Sequence, residues 1–219
     1  MVNLYSRNFY QLAAARLQPA GLVAQWLPLP TQNDEDSRSL VRSFIDVFPH
    51  ATLWTTEFHE MLLIGSLQPL QLDVPRIRQR LSQAAVAETL AEVGVASPEA
   101  LLATWVTDRA GLERYAGDAL PVTDDQPRIE YAPWVRPREI TRVLPALLAL
   151  RSAPPLHGAT PAFASAVHDQ WRSLALFYSL SLHAYNGNRQ AWAREARELA
   201  RSDGGNPYYR WFLGAGADR

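Results

Sequence analysis

The chain has 219 residues, 47% of them hydrophobic and 20% charged, a composition suited to a globular protein with a sizeable core. Its formal net charge of −1 gives no electrostatic footprint for nucleic acid, and all 21 basic residues are Arg, as a GC-rich coding bias would produce. The absence of Cys excludes disulfides, thiolate nucleophiles and Cys-ligated metals, while the lack of a roughly 20-residue apolar run or a signal-peptide pattern leads us to expect a soluble, cytoplasmic chain.

The first predicted element is a helix over residues 6–18, capped by Ser6 or Asn3, with Phe9, Leu12, Ala13 and Leu17 on one face. Pro19-Ala20-Gly21 stops it, and LVAQWL (22–27) reads as a strand ended by Pro28 and Pro30. Nearly every position of that strand is apolar, which predicts burial on both faces, as in a parallel sheet covered by helices. Asp34, Glu35 and Asp36 suit the positive end of a second helix whose stripe is Leu40, Val41, Phe44, Ile45 and Phe48. ATLWTT (51–56) and MLLIGS (61–66) then predict an antiparallel hairpin.

Residues 73–117 read as helical, with starts at Asp73-Val74-Pro75, Ser97-Pro98-Glu99 and Asp108. The Pro-rich stretch PVTDDQPRIEYAPWVRP (121–137) is a predicted loop with a short extended piece, followed by a helix over 138–151 and a linker at 152–161. From Pro161 onward, Phe163, Val167, Trp171, Leu174, Tyr178, Leu182 and Tyr185 recur at helical spacing. After Asn186-Gly187-Asn188 a second stripe contains Trp192, Ala196, Leu199 and Ala200, and a third helix begins near Pro207.

The ordered segments LYSRNFY, RLQPAGLVAQW, FPHATLW, MLLIGS and TDDQPRIEY resemble spermidine synthase-like proteins, most closely the long bacterial forms often fused to a transporter module. The resemblance covers residues 2–66 and the 121–133 loop. It implies an α/β fold, the C-terminal half of a Rossmann-like methyltransferase sheet, followed by a mainly helical region. The expected divisions are 1–66 for that half-sheet, 67–151 for a helical extension, and 152–219 for a tetratricopeptide-like helical hairpin. Ala20 departs from the family, which usually carries Gly in a Pro-Gly-Gly turn.

In this family an aminopropyl group passes from decarboxylated S-adenosylmethionine to a diamine. The Gly-rich turn, ribose-binding carboxylate and proton-accepting acid of the family lie on earlier strands, and no Gly-rich fingerprint occurs in these 219 residues. No catalytic or cofactor-binding residue is therefore assigned, no cofactor is expected for the chain alone, and a fragment inactive on its own is expected. The resemblance implies that Tyr5, Gln25 and Trp26 lie near a polyamine pocket, the last two at the C-terminal end of the first strand; a Trp in such a strand more often fills core, and core is the expectation favoured for Trp26. Asp124 and Asp125, with Glu130, could attract a cationic amine or form a solvated turn. The strand over 22–27 is expected to present one bare edge, so the partners expected are a missing N-terminal half or a self-associated copy.

The alternative function is a non-catalytic interaction module using the tetratricopeptide-like tail. Since one such repeat cannot bury its own face, the tail can also be an intrachain cap. His59-Glu60 lacks a second His at helical spacing, and His50, His157, His168 and His183 are isolated, so the sequence carries no metal-site motif.

Overall fold

The computed structural model describes residues 2–130 and 134–214, so Tyr131–Pro133 of the predicted loop lie outside the described residues. Along the chain run α1 (Arg7–Ala14), β1 (Val23–Pro28), α2 (Asp34–Ile45), β2 (His50–Thr55) and β3 (Glu60–Ser66). Then come β4 (Leu72–Asp73), α3 (Val74–Leu81), α4 (Ala84–Glu92), α5 (Pro98–Ala103), β5 (Trp105–Thr107), α6 (Arg109–Ala116) and α7 (Ile140–Leu148). The last elements are β6 (Leu156–His157), α8 (Pro161–Tyr185), α9 (Arg189–Asp203) and α10 (Pro207–Phe212).

The predicted helix starts are set by side chains that satisfy orphan backbone donors. Ser6 accepts the Phe9 N–H at 3.0 Å, Asp73 that of Arg76 at 2.8 Å, Ser97 that of Ala100 at 3.0 Å and Asp108 that of Gly111 at 3.2 Å. At the end of the first helix, Gly21 N–H donates to the Gln18 carbonyl, and Ala20 sits at φ 61°. Pro at the second position and a positive φ at the third form the type II turn pattern.

The chain divides into two compact units, one of Met1–Leu70 with Trp105–Pro154 and one of Gln71–Thr104 with Pro155–Arg219. The expected extension 67–151 is thus shared between the two, because β5, read in the sequence as part of a helical region, pairs with β2.

The first unit is mixed α/β. Its four-stranded sheet has the order β1-β3-β2-β5, with every neighbouring pair antiparallel. One face carries Gln25, Leu27, Leu63, Met61 and Gly65, paired across β1 and β3. Over Gly65 lie Phe44 of α2 and Phe48 in the turn that follows it, with Tyr10 of α1 edge-on to Phe44 at 5.0 Å. Tyr10, not the expected Leu12, is the buried residue of α1; Leu12 is exposed.

Burial of β1 on both faces is not observed. The strand is an edge, pairing only with β3, and its first four residues alternate between half-buried and exposed. Trp26 is 46% exposed and does not fill core. A six-residue apolar run reads alike for a two-sided buried strand and an edge strand; only the neighbours distinguish them.

The second unit is helical, with a two-residue parallel bridge between β4 and β6. The tail stripe is only partly internal: Phe163, Val167, Phe177, Tyr178, Leu180 and Ser181 are buried on α8, whereas Tyr185 is 41% exposed. Phe177 anchors α10, stacking on Tyr209 at 5.0 Å and meeting Phe212 edge-on at 4.9 Å. Among the described residues no helix is long and apolar enough to cross a membrane.

Candidate functional site

The predicted site residues fall in three places on the first unit. Tyr5, in the one-turn 3₁₀ helix ahead of α1, has the Gln25 side chain of β1 as an electrostatic neighbour. Burial raises the Tyr5 hydroxyl's pKa, the Gln25 contact opposes that shift, and the nearby Glu60 carboxylate adds to it. The phenol therefore stays protonated and neutral at physiological pH, able to donate one hydrogen bond and accept others.

Gln25 and Trp26 occupy the third and fourth positions of the six-residue β1, not its C-terminal end; that end, Leu27-Pro28, is buried. Successive strand residues face opposite sides. Gln25 stands opposite Leu63 on the face packed by α2, and Trp26 opposite Leu62 on the other. The Trp26 indole is thereby separated from the Tyr5–Gln25 pair.

Asp124 and Asp125 form the tip of a tight turn in which Thr123 and Gln126 exchange backbone hydrogen bonds at 3.3 and 3.1 Å. Both carboxylates are exposed. The turn is fixed to the start of α1, where Arg7 N–H donates to the Val122 carbonyl at 2.8 Å and Asp124 N–H to Asn8 Oδ1 at 3.3 Å. This brings the loop to the helix that begins two residues after Tyr5. The Thr123 hydroxyl holds the Asp125 carboxyl below its ordinary range, with Arg7 adding a smaller pull. The turn role and a cation-facing role are compatible, since the backbone groups make the turn and leave the carboxylates outward.

A more elaborate polar cluster follows β1 and has no counterpart in the sequence reading. The buried Glu139 carboxylate accepts the Asp34 N–H at 2.9 Å and both Nε and Nη2 of Arg136, at 3.2 and 2.9 Å. Asp34 in turn accepts from Arg38 Nε at 2.8 Å and from the Tyr115 hydroxyl at 3.1 Å. The Arg38 guanidinium lies 4.7 Å over the Tyr115 ring. Hydrogen bonds from Arg136 hold the Glu139 carboxyl below the ordinary carboxylate range, while burial pushes the Tyr115 hydroxyl up. The donors and acceptors pair with one another, so the cluster clasps the N-terminus of α2 to α6 and α7. Its members are scattered between residues 34 and 139, and no local spacing betrays them.

Among the described residues no group of three His, Cys, Asp or Glu side chains is arranged to hold a metal ion. His183 Nε2 lies 3.3 Å from Glu195 Oε1 on the neighbouring helix. No protein-family model, no curated protein and no solved structure matches the chain.

Proposed function

We propose that the chain is the amine-facing portion of a spermidine synthase-like protein, with Tyr5, Gln25, Asp124 and Asp125 directed toward a polyamine. The observation that carries this reading is the junction at α1. Two of the family-like segments, LYSRNFY and TDDQPRIEY, are tied together by a hydrogen bond between residues 116 positions apart. The strand arrangement supports it as well: β1 and β2 are both antiparallel to the β3 between them and so run parallel to each other, as expected for the C-terminal half of a methyltransferase-like Rossmann sheet.

In this reading the two exposed carboxylates attract the ammonium groups, and the Tyr5 oxygen and Gln25 amide oxygen accept their hydrogen bonds. Aminopropyl transfer is not assigned to these residues.

Calorimetric titration with a short linear diamine tests the assignment. Binding is expected to weaken with salt and to be abolished by Asp124→Asn combined with Asp125→Asn, since exposed charge attraction is screened. Absence of binding, or binding indifferent to both substitutions, would overturn it. Decarboxylated S-adenosylmethionine and methylthioadenosine are expected not to bind measurably; micromolar affinity would contradict an assignment confined to the amine side.

An interaction module remains the second reading, favoured by one observation. An open groove of ≈ 680 Å³ runs along α8 and α9, lined by Trp171, Leu176, Ser179, Glu198 and Asp203 among others. Trp171→Ala would remove a partner bound there and leave diamine binding unchanged.

A further inference from the structure

The two edges of the sheet differ. At β5 the carbonyl of Val106 accepts the Ser152 N–H at 2.9 Å, and that of Trp105 accepts from the Arg151 side chain. That edge is closed by its own chain. At β1 no second strand lies alongside among the described residues.

The direction of the free groups follows from the register. Leu29 N–H donates to the His59 carbonyl directly opposite it, and the antiparallel pairing continues through Leu27 with Met61, Gln25 with Leu63 and Val23 with Gly65. Hydrogen-bonded and non-hydrogen-bonded pairs alternate along an antiparallel ladder. The N–H and C=O groups of Ala24 and Trp26 therefore point away from β3. The Gln25 amide reaches round to donate to the outward Trp26 carbonyl at 3.2 Å, an exposed contact consistent with that direction. Leu22, immediately before the strand, is 51% exposed, and no charged residue occurs from Leu22 to Leu29.

We infer that β1 pairs antiparallel with β1 of a second copy of this chain, about a two-fold axis at Gln25, joining the two four-stranded sheets into one. Gln25 is shared with the proposed amine site, but the inference rests on the open edge of the strand and not on a bound amine. An open neutral edge strand is a template for another strand, and here the edge complements itself. With Gln25 opposite its own copy, Ala24 falls opposite Trp26 of the other chain, and the outward N–H and C=O groups of both residues are satisfied reciprocally. The small Ala24 side chain then sits beside the large Trp26 indole on one face. At the axis a primary amide meets a primary amide, each both donor and acceptor, where a charged residue would repel its copy. Pro28 falls opposite Leu22; lacking an N–H, it offers only its carbonyl and ends the ladder. The pairing is thereby finite, giving a closed dimer in place of an open-ended aggregate.

Sedimentation equilibrium of the full chain tests this. A reversible dimer is expected. Ala24→Pro removes an N–H that β3 does not use, at an edge position where Pro is tolerated, and should yield a monomer with unchanged circular dichroism whose thermal midpoint no longer depends on concentration. Should that variant fold poorly, Ala24→Lys, at an exposed position, decides the matter by placing a charge on the edge of each copy; it too should be monomeric. A wild-type chain that stays monomeric, an association that grows beyond two copies, or a dimer that survives in the folded variant would each overturn the proposal.

Discussion

The Glu139 carboxylate accepts the backbone N–H of Asp34 at 2.9 Å, fastening the first turn of α2 to a residue 105 positions later in the chain. The same carboxylate receives the Arg136 guanidinium through two donors. Glu139→Gln preserves size and leaves an acceptor for the Asp34 N–H, but removes the charge that Arg136 pairs with. We expect a loss of roughly 2 kcal/mol, the scale of a charge-assisted hydrogen bond, measured by urea unfolding. The pH dependence follows from the depressed folded-state pKa of Glu139. Its stabilisation is present above the unfolded-state value and is lost as pH falls through the folded-state value. Wild-type stability should therefore decline on acidification below about pH 4.3, the ordinary Glu value, and the Gln variant should show a shallower decline. Equal acid sensitivity in both proteins would remove Glu139 from this role.

Ala20 occupies the left-handed region at φ 61°, a conformation that glycine adopts without penalty. Ala20→Gly should relieve the clash of Cβ with the following carbonyl while adding some freedom to the unfolded chain. The net gain expected is roughly 0.5–1 kcal/mol. Ala20→Val should destabilise, since β-branched residues tolerate this region least. Thermal unfolding of the pair against wild type reads both signs; a Gly variant less stable than wild type would contradict the strain argument.

Local chemistry carried well from sequence to structure. Asp73, Ser97 and Asp108 cap helices where the sequence placed their starts, and the hairpin of β2 and β3 forms where two apolar runs flank a short polar break. Information held by distant partners did not carry. Trp105-Val106-Thr107 lies between helix signals, and its identity as a strand depends on β2, some fifty residues earlier. Trp26 reads as core until the strand beside it is known to be missing on one side. At the candidate site the nearness of Tyr5 to Gln25 was implied only by resemblance, while nothing local signalled the bond of Asn8 to the Asp124 amide or the Glu139 cluster.

Within the helical unit, the aromatic stripe divides into two classes that mutation should separate. Phe177 is fully buried and packs against Tyr209 and Phe212, so Phe177→Ala should cost about 3–5 kcal/mol, as large aromatic truncations in cores do. Trp192 is only half-buried, and Trp192→Ala should cost less, on the order of 1–2 kcal/mol, because part of its surface is already hydrated. Chemical denaturation followed by helical circular dichroism checks the order. Equal losses would mean that the α8–α10 packing does not centre on Phe177.

Gly65 of β3 lies close under Phe44 of α2 and Phe48 just beyond its end. A Cβ built there would lie 2.5 Å from Cγ of Phe48 and 2.7 Å from Cζ of Phe44. Both rings are fully buried and only 4.7 Å apart between centroids, and Tyr10 stands edge-on to each. Neither ring can retreat without displacing the other or the tyrosine. Gly65→Ala should therefore destabilise by about 2–3 kcal/mol through overpacking, despite the gain a β-strand ordinarily makes when Gly is replaced. Shortening the obstructing ring offers a compensating change. Phe48→Leu alone should destabilise, whereas the double variant should lose less than the sum of the two single losses, since the methyl then enters space the smaller side chain vacates. A double-mutant cycle by urea unfolding measures that coupling. Strict additivity would mean that the Gly65 position and the Phe48 ring do not compete for the same space.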